Sequence, residues 1–230
     1  MIQSFLARNE ALAEFNSLRI AFKKDGSHIG LLFRLGAEVP SNLLHLAFHH
    51  LLYCEQTAEV ADWDDQYAVV NLAGFDVDER IQLAVWLKRI SKSNGRNVPY
   101  GLKYSGQGYF DATTGKFISS ETGRGLTCST FVLAVFIDFG FNIVDCDSWP
   151  VREDDTKFQR AIMGHLQDGV QRHLVQREHM EAQQAHIGTA PRFRPLETAA
   201  GCAGYLGTTI EFASAELISK HLELDMIALG

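Results

Sequence analysis

The chain has 230 residues, 46% of them hydrophobic and 21% charged, enough apolar material for one large core or a core with an appended subdomain. Its formal charge of −7 leaves 21 Lys and Arg scattered without a basic stripe, which argues against nucleic acid as a partner. Its 4 cysteines (Cys54, Cys128, Cys146, Cys202) lack the short regular spacing of a disulfide framework, so free thiols in a reducing compartment are expected.

The first stretch, "MIQSFLARNEALAEFNSLRIAF", lacks the charged start, apolar centre and small-residue cleavage site of a secretory signal. Its periodicity predicts an amphipathic helix over residues 3–22. No apolar run approaches the roughly 18 residues that span a bilayer. The expectation is a soluble cytoplasmic protein, with export by a specialised secretion system as the route to any cell-wall substrate.

Lys23-Lys24-Asp25-Gly26 predicts a turn into "SHIGLLFRLG", a buried strand, and Pro40-Ser41-Asn42 turns the chain into "LLHLAFHHLLYCE". That segment places His45 and His49 on one face whether it is strand or helix. "QYAVVNLAGF" predicts a further strand. "DVDERIQLAVWLKRISKSNG" predicts a helix capped by Asp76 or Asp78, with Gly95 beyond its end.

"VPYGLKYSGQGYFDATTGKFISSETGRG" is a long Gly- and Ser-rich loop, of the kind that carries function in compact domains. A helix opening at Cys128 and closed by Gly140 follows. Residues 154–186 read as a polar helical stretch broken at Gly164 or Gly169, with His165, His173, His179 and His186 on its solvated side, as is His221 further on. "GTAPRFRPLETAAG" reads as a connection and "TIEFASAELISKHLELDMIAL" as a last helix. The division expected is a core over 1–153 and a helical extension over 154–230.

Among the cysteines, only Cys128 heads a helix, where unsatisfied N–H groups and the positive dipole end favour a thiolate. A buried, inert cysteine is the competing reading of the same residue. Cys146 lies between Asp145 and Asp147, which oppose thiolate formation. A reactive thiol needs a base brought near in space. His28 opens an apolar strand and His45 sits inside an apolar run, positions where a polar ring requires a partner or a function.

The pieces "SHIGLLF", "NLLHLAFH" and "LTCSTFVLAVF", in this order over residues 26–140, resemble the circularly permuted NlpC-type papain-like cysteine hydrolases, the group that includes lecithin:retinol acyltransferase. The resemblance implies an α+β papain-like fold, an antiparallel sheet packed on the cysteine helix. It also implies a thiol hydrolase that cleaves a peptide or peptidoglycan-like amide through an acyl-enzyme, with no cofactor.

By the same resemblance Cys128 is the nucleophile, His28 the base and His45 the group orienting it, with His49 or Asn42 as alternatives for the third role. Tyr100 and Tyr104 would face the site from the loop. Ser129, directly after the cysteine, differs from the acyltransferase context and points away from a lipid substrate. Two other classes compete. The spacing His45, His49-His50, Cys54 would present two ligands to a zinc ion if it were helical. Alternatively the chain is an inert interaction protein that binds a partner through residues 154–195.

Overall fold

The computed structural model describes Leu6 and residues 17–229. Most of the helix expected over 3–22 lies outside the described residues, and its last part is not helical. Leu18–Lys23 is a strand, β1. Leu18, Ile20, Ala21 and Phe22 are all buried, because β1 lies inside the sheet and has neighbours on both faces.

The other strands are β2 (Ile29–Phe33), β3 (Asn42–Phe48), β4 (Leu51–Gln56) and β5 (Tyr67–Val70). They run in the order β4-β3-β2-β1-β5, and every neighbouring pair is antiparallel. "LLHLAFHHLLYCE" therefore resolves as a hairpin. His50, with φ 60°, sits in its turn, and the register shifts between Leu46 and Phe48.

Helix α1 is one turn (Trp63–Gln66), and α2 spans Val77–Asn94. The Asp76 carboxylate accepts from the Glu79 N–H while Glu79 reaches back to the Asp76 N–H, so Asp76 is the cap and Asp78 is not.

Helix α3 (Cys128–Phe139) begins with a second reciprocal cap between Thr127 and Thr130 and ends at Gly140. Every residue from Cys128 to Phe136 is buried, so the helix is held by packing all round rather than by an amphipathic stripe. It packs on β2 and β3, against Ile29, Leu31, Phe33, Leu44 and Leu46. The opposite sheet face carries a smaller cluster of Ala21, Leu32, Leu43, Tyr67 and Val69.

The long loop before Cys128 is tied down by buried polar groups. The Asn94 side chain holds Gly115 and Phe117, and the Asp138 carboxylate accepts the N–H groups of Gly108, Tyr109 and Phe110. Helix α4 (Asp155–Gln171) runs straight through Gly164 and Gly169. The break expected there falls instead at residues 172–176, before α5 (Arg177–Gln184).

The second half of the stretch read as connection, from Pro195 on, belongs to α6 (Pro195–Gly204), with Pro195 at its first position. The last helix, α7, is Phe212–Leu229. The C-terminal helices share one core with the sheet, since α6 contacts β1, β2 and α3 and carries α7. Among the described residues no helix is long and apolar enough to cross a membrane.

Candidate active site

The tight β1–β2 turn, closed by the Lys23 N–H on the His28 carbonyl at 2.9 Å, delivers His28 to the end of the sheet. Across β3, His28 Nε2 stands 2.7 Å from His45 Nδ1, and His45 Nε2 stands 2.9 Å from the Glu55 carboxylate on β4. The two rings meet edge-on, with centroids 4.8 Å apart.

The residue before β2 and one residue each from β3 and β4 thus form a single hydrogen-bonded row. Glu55 escaped the sequence reading because only the β3–β4 register brings it to His45. Its cue was an acidic residue one hairpin away from a buried histidine.

The row fixes its own protons. A carboxylate only accepts, so the neutral His45 ring carries its proton on Nε2 and accepts at Nδ1. His28 must then donate from Nε2, which leaves Nδ1 with a lone pair. Both rings are neutral. Burial, then the neighbouring His45 and Lys23, pushes the His28 pKa down to about 3. Burial also lowers His45, with the Glu55 hydrogen bond opposing it.

Cys128 and His28 line the same cavity, of about 900 Å³, together with Tyr100, Phe48, Phe158 and Ile162. Burial raises the Cys128 pKa, opposed first by the Ile29 N–H, then by the Ser129 hydroxyl and N–H and by the Arg192 guanidinium. Burial thus works against the thiolate that the helix start favours, and outweighs the donors around the sulfur. The Ser129 hydroxyl is buried beside the sulfur.

Helix α4 forms one wall of the cavity, with His165 and Asp168 beside the apolar pair.

Tyr100 faces this cavity, buried and packed on Phe48 with the rings tilted by 35° and centroids 5.0 Å apart. Tyr104 does not reach it. Its ring stacks on Tyr109, its hydroxyl donates to the Gly106 carbonyl at 2.6 Å, and it lines a separate pocket beside Cys146.

The alternatives for the third role lie elsewhere. Asn42 donates to the Pro40 carbonyl, and the His49 Nδ1 accepts the Tyr100 N–H at 3.2 Å. His179, expected on the solvated side of a helix, is buried with its ring centroid 4.7 Å from that of His49. Cys146 has its pKa pushed up to about 11 by burial, then by Asp145 and Asp147.

The zinc reading required a helix. On the hairpin His45 turns to Glu55 while His49 and His50 turn away, and Cys54 is exposed on β4. Among the described residues no group of three or more His, Cys, Asp or Glu side chains is placed to hold a metal ion. Comparison of the chain with protein-family models, with curated proteins and with solved structures gives no match.

Proposed function

We propose that the protein is a thiol hydrolase of the papain-like, permuted NlpC type, cleaving a peptide or peptidoglycan-like amide through an acyl-enzyme on Cys128. The observation that carries this reading is the Glu55–His45–His28 row, whose last ring shares a cavity with a cysteine at the head of a buried helix. Core packing alone gives no reason to line up two imidazoles and a carboxylate.

In the proposed cycle the thiol proton passes to His28 Nδ1 as the sulfur bonds to the carbonyl carbon. The negative oxygen is met by the first-turn N–H groups of Cys128 and Ser129, which have no intrahelical acceptor. The imidazolium, held by His45 and Glu55, returns the proton to the departing nitrogen as the C–N bond breaks and an amine leaves. Water then gives a proton to His28 and its oxygen to the thioester carbon, releasing the acid and the thiol. Tyr100 and Phe48 would pack the acyl group.

The test is alkylation by iodoacetamide, quantified separately at Cys128 and at Cys54. His28→Ala should slow Cys128 by about 10²-fold or more, in the range of general base catalysis, and leave Cys54 unchanged. Equal rates at Cys128 with and without His28 would remove the hydrolase and favour the inert interaction protein.

A further inference from the structure

Helix α5 belongs to the region for which the sequence suggested a partner surface, and its buried face is polar. His179 and Gln183, four residues apart, are both buried. The His179 Nε2–H donates to the Tyr100 carbonyl at 2.7 Å. The Gln183 side chain accepts the Leu102 N–H at 2.7 Å through Oε1 and donates to the Gly123 carbonyl at 2.5 Å through Nε2. From the hairpin, His49 Nδ1 takes the Tyr100 N–H.

Both backbone groups of Tyr100 are thus held by imidazoles from two separate elements. An α5 that served only to cover the core would bury apolar side chains at these positions.

What α5 holds leads directly into the candidate nucleophile. Residues 99–101 and 125–126 run against each other, with the Gly101 N–H on the Leu126 carbonyl and the Leu126 N–H on the Pro99 carbonyl, at 3.2 and 2.9 Å. The crossing is so close that a Cβ on Gly101 would lie 2.7 Å from the Gly125 backbone. Two residues beyond Leu126 is Cys128. Tyr100, on the other limb, forms the cavity wall beside that sulfur. Any shift of the crossing moves the wall and the head of α3 together.

We propose that His179 and Gln183 are positioning residues of the Cys128 site, which act by fixing the Tyr100–Leu102 and Gly123 backbone from α5. The inference rests on the hydrolase reading and gives α5 a role inside it. His179 touches neither the sulfur nor a substrate, so its influence passes through the Tyr100 carbonyl. The hydrogen bond, and not the ring's bulk, is the operative feature.

Two substitutions separate these. His179→Gln keeps an N–H donor at nearly the position of Nε2 and loses the ring. His179→Phe keeps a ring against His49 and loses the donor. Iodoacetamide alkylation of Cys128 is followed from pH 5 to 10, with Cys54 as internal reference and thermal unfolding measured in parallel. Positioning requires His179→Phe to slow the neutral-pH reaction at Cys128 about tenfold, and His179→Gln to stay within about threefold of the parent.

The reverse order, equal rates for all three proteins, or failure of both variants to fold would overturn the proposal and leave α5 as scaffold. The hydrolase reading fails on a different result, a rate at Cys128 that ignores His28→Ala, so the two failures are distinguishable.

Discussion

A Cβ placed on Gly30 would lie 2.8 Å from the Cβ of His45, across the β2–β3 pair. It would also meet Leu43 Cδ1 at 2.9 Å and the Leu44 carbonyl at 3.0 Å; the leucine methyl can turn aside, but the His45 Cβ and the carbonyl cannot. Gly30 is thus the space in which His45 stands, which explains a glycine two residues after His28. Gly30→Ala should cost about 1–3 kcal/mol as an overpacking change. Because His45 is what moves, Cys128 alkylation should fall with it. Denaturant unfolding and iodoacetamide kinetics on the same variant check the two halves, and unchanged kinetics would detach His45 from the site.

Glu55 offers a cleaner separation of stability from chemistry. Its side chain is 46% exposed, so the pair with His45 contributes little to folding. Its effect is to decide which His45 nitrogen carries the proton. Glu55→Leu should change the unfolding free energy by less than about 1 kcal/mol and lower neutral-pH alkylation of Cys128 severalfold. Glu55→Asp, which keeps the charge on a shorter arm, should lie between. A variant that unfolds readily but alkylates normally would make Glu55 a structural residue only.

The titration behaviour sets the shape of the pH profile. His28 is driven down to about 3 and Cys128 is raised, both primarily by burial, so thiol and imidazole are neutral together across the neutral range. Only the small fraction that has exchanged its proton internally reacts there. The alkylation rate of Cys128 should therefore show a low plateau at neutral pH and a steep rise in the alkaline range. His28→Ala should abolish the plateau and keep the rise. Full reactivity already reached near pH 5 would mean a preformed ion pair, contrary to this geometry.

His49 links the same clamp to acid stability. Burial, then His50 and His179, pushes its pKa down to about 3, against about 6.5 in an unfolded chain. The unfolded state therefore binds the extra proton first as pH falls. Stability from this group is whole above pH 6.5 and is lost as pH drops toward 3, by at most about 1.4 kcal/mol per pH unit. His49→Asn keeps an acceptor near Nδ1 for the Tyr100 N–H but cannot titrate. Unfolding measured from pH 7 to pH 4 should show a shallower loss for the variant than for the parent.

The sequence carried the local features and lost the ones that depend on register. The Cys128 helix, an aspartate cap at Asp76 or Asp78 and the turn before His28 were legible because each is written in a few adjacent residues. Strand β1 was hidden because an interior strand buries Leu18, Ile20, Ala21 and Phe22 without clear alternation.

Glu55 became a partner of His45 only through the pairing of β3 with β4. Helix α5 was misjudged because hydropathy reads a buried face as apolar, whereas His179 and Gln183 are buried to satisfy the backbone of a loop. Tyr104 was placed at the site by the resemblance of the loop to the family's aromatic lead-in, and the bend at Gly106, whose carbonyl takes the Tyr104 hydroxyl, turns it away.

The mouth of the Cys128 cavity has a charge opposite to that of the chain. Arg96 and Arg172 are exposed on its lining with His50, His165 and His173, and Asp168 is the one acidic residue there among the described residues. Among the described residues neither arginine has an ion-pair partner. Arg192, packed over the Phe158 ring at 3.6 Å, adds a positive charge that acts on the sulfur from within.

An anionic alkylating agent should thus be drawn toward Cys128 relative to a neutral one. The ratio of iodoacetate to iodoacetamide rates should be higher at Cys128 than at Cys54, and should fall as salt screens the mouth over a Debye length of about 10 Å at 0.1 M. Arg96→Gln with Arg172→Gln should bring the ratio down severalfold while leaving the iodoacetamide rate near the parent value. A ratio at Cys128 indifferent to both salt and the double substitution would show that the two guanidinium groups exert no field at the sulfur.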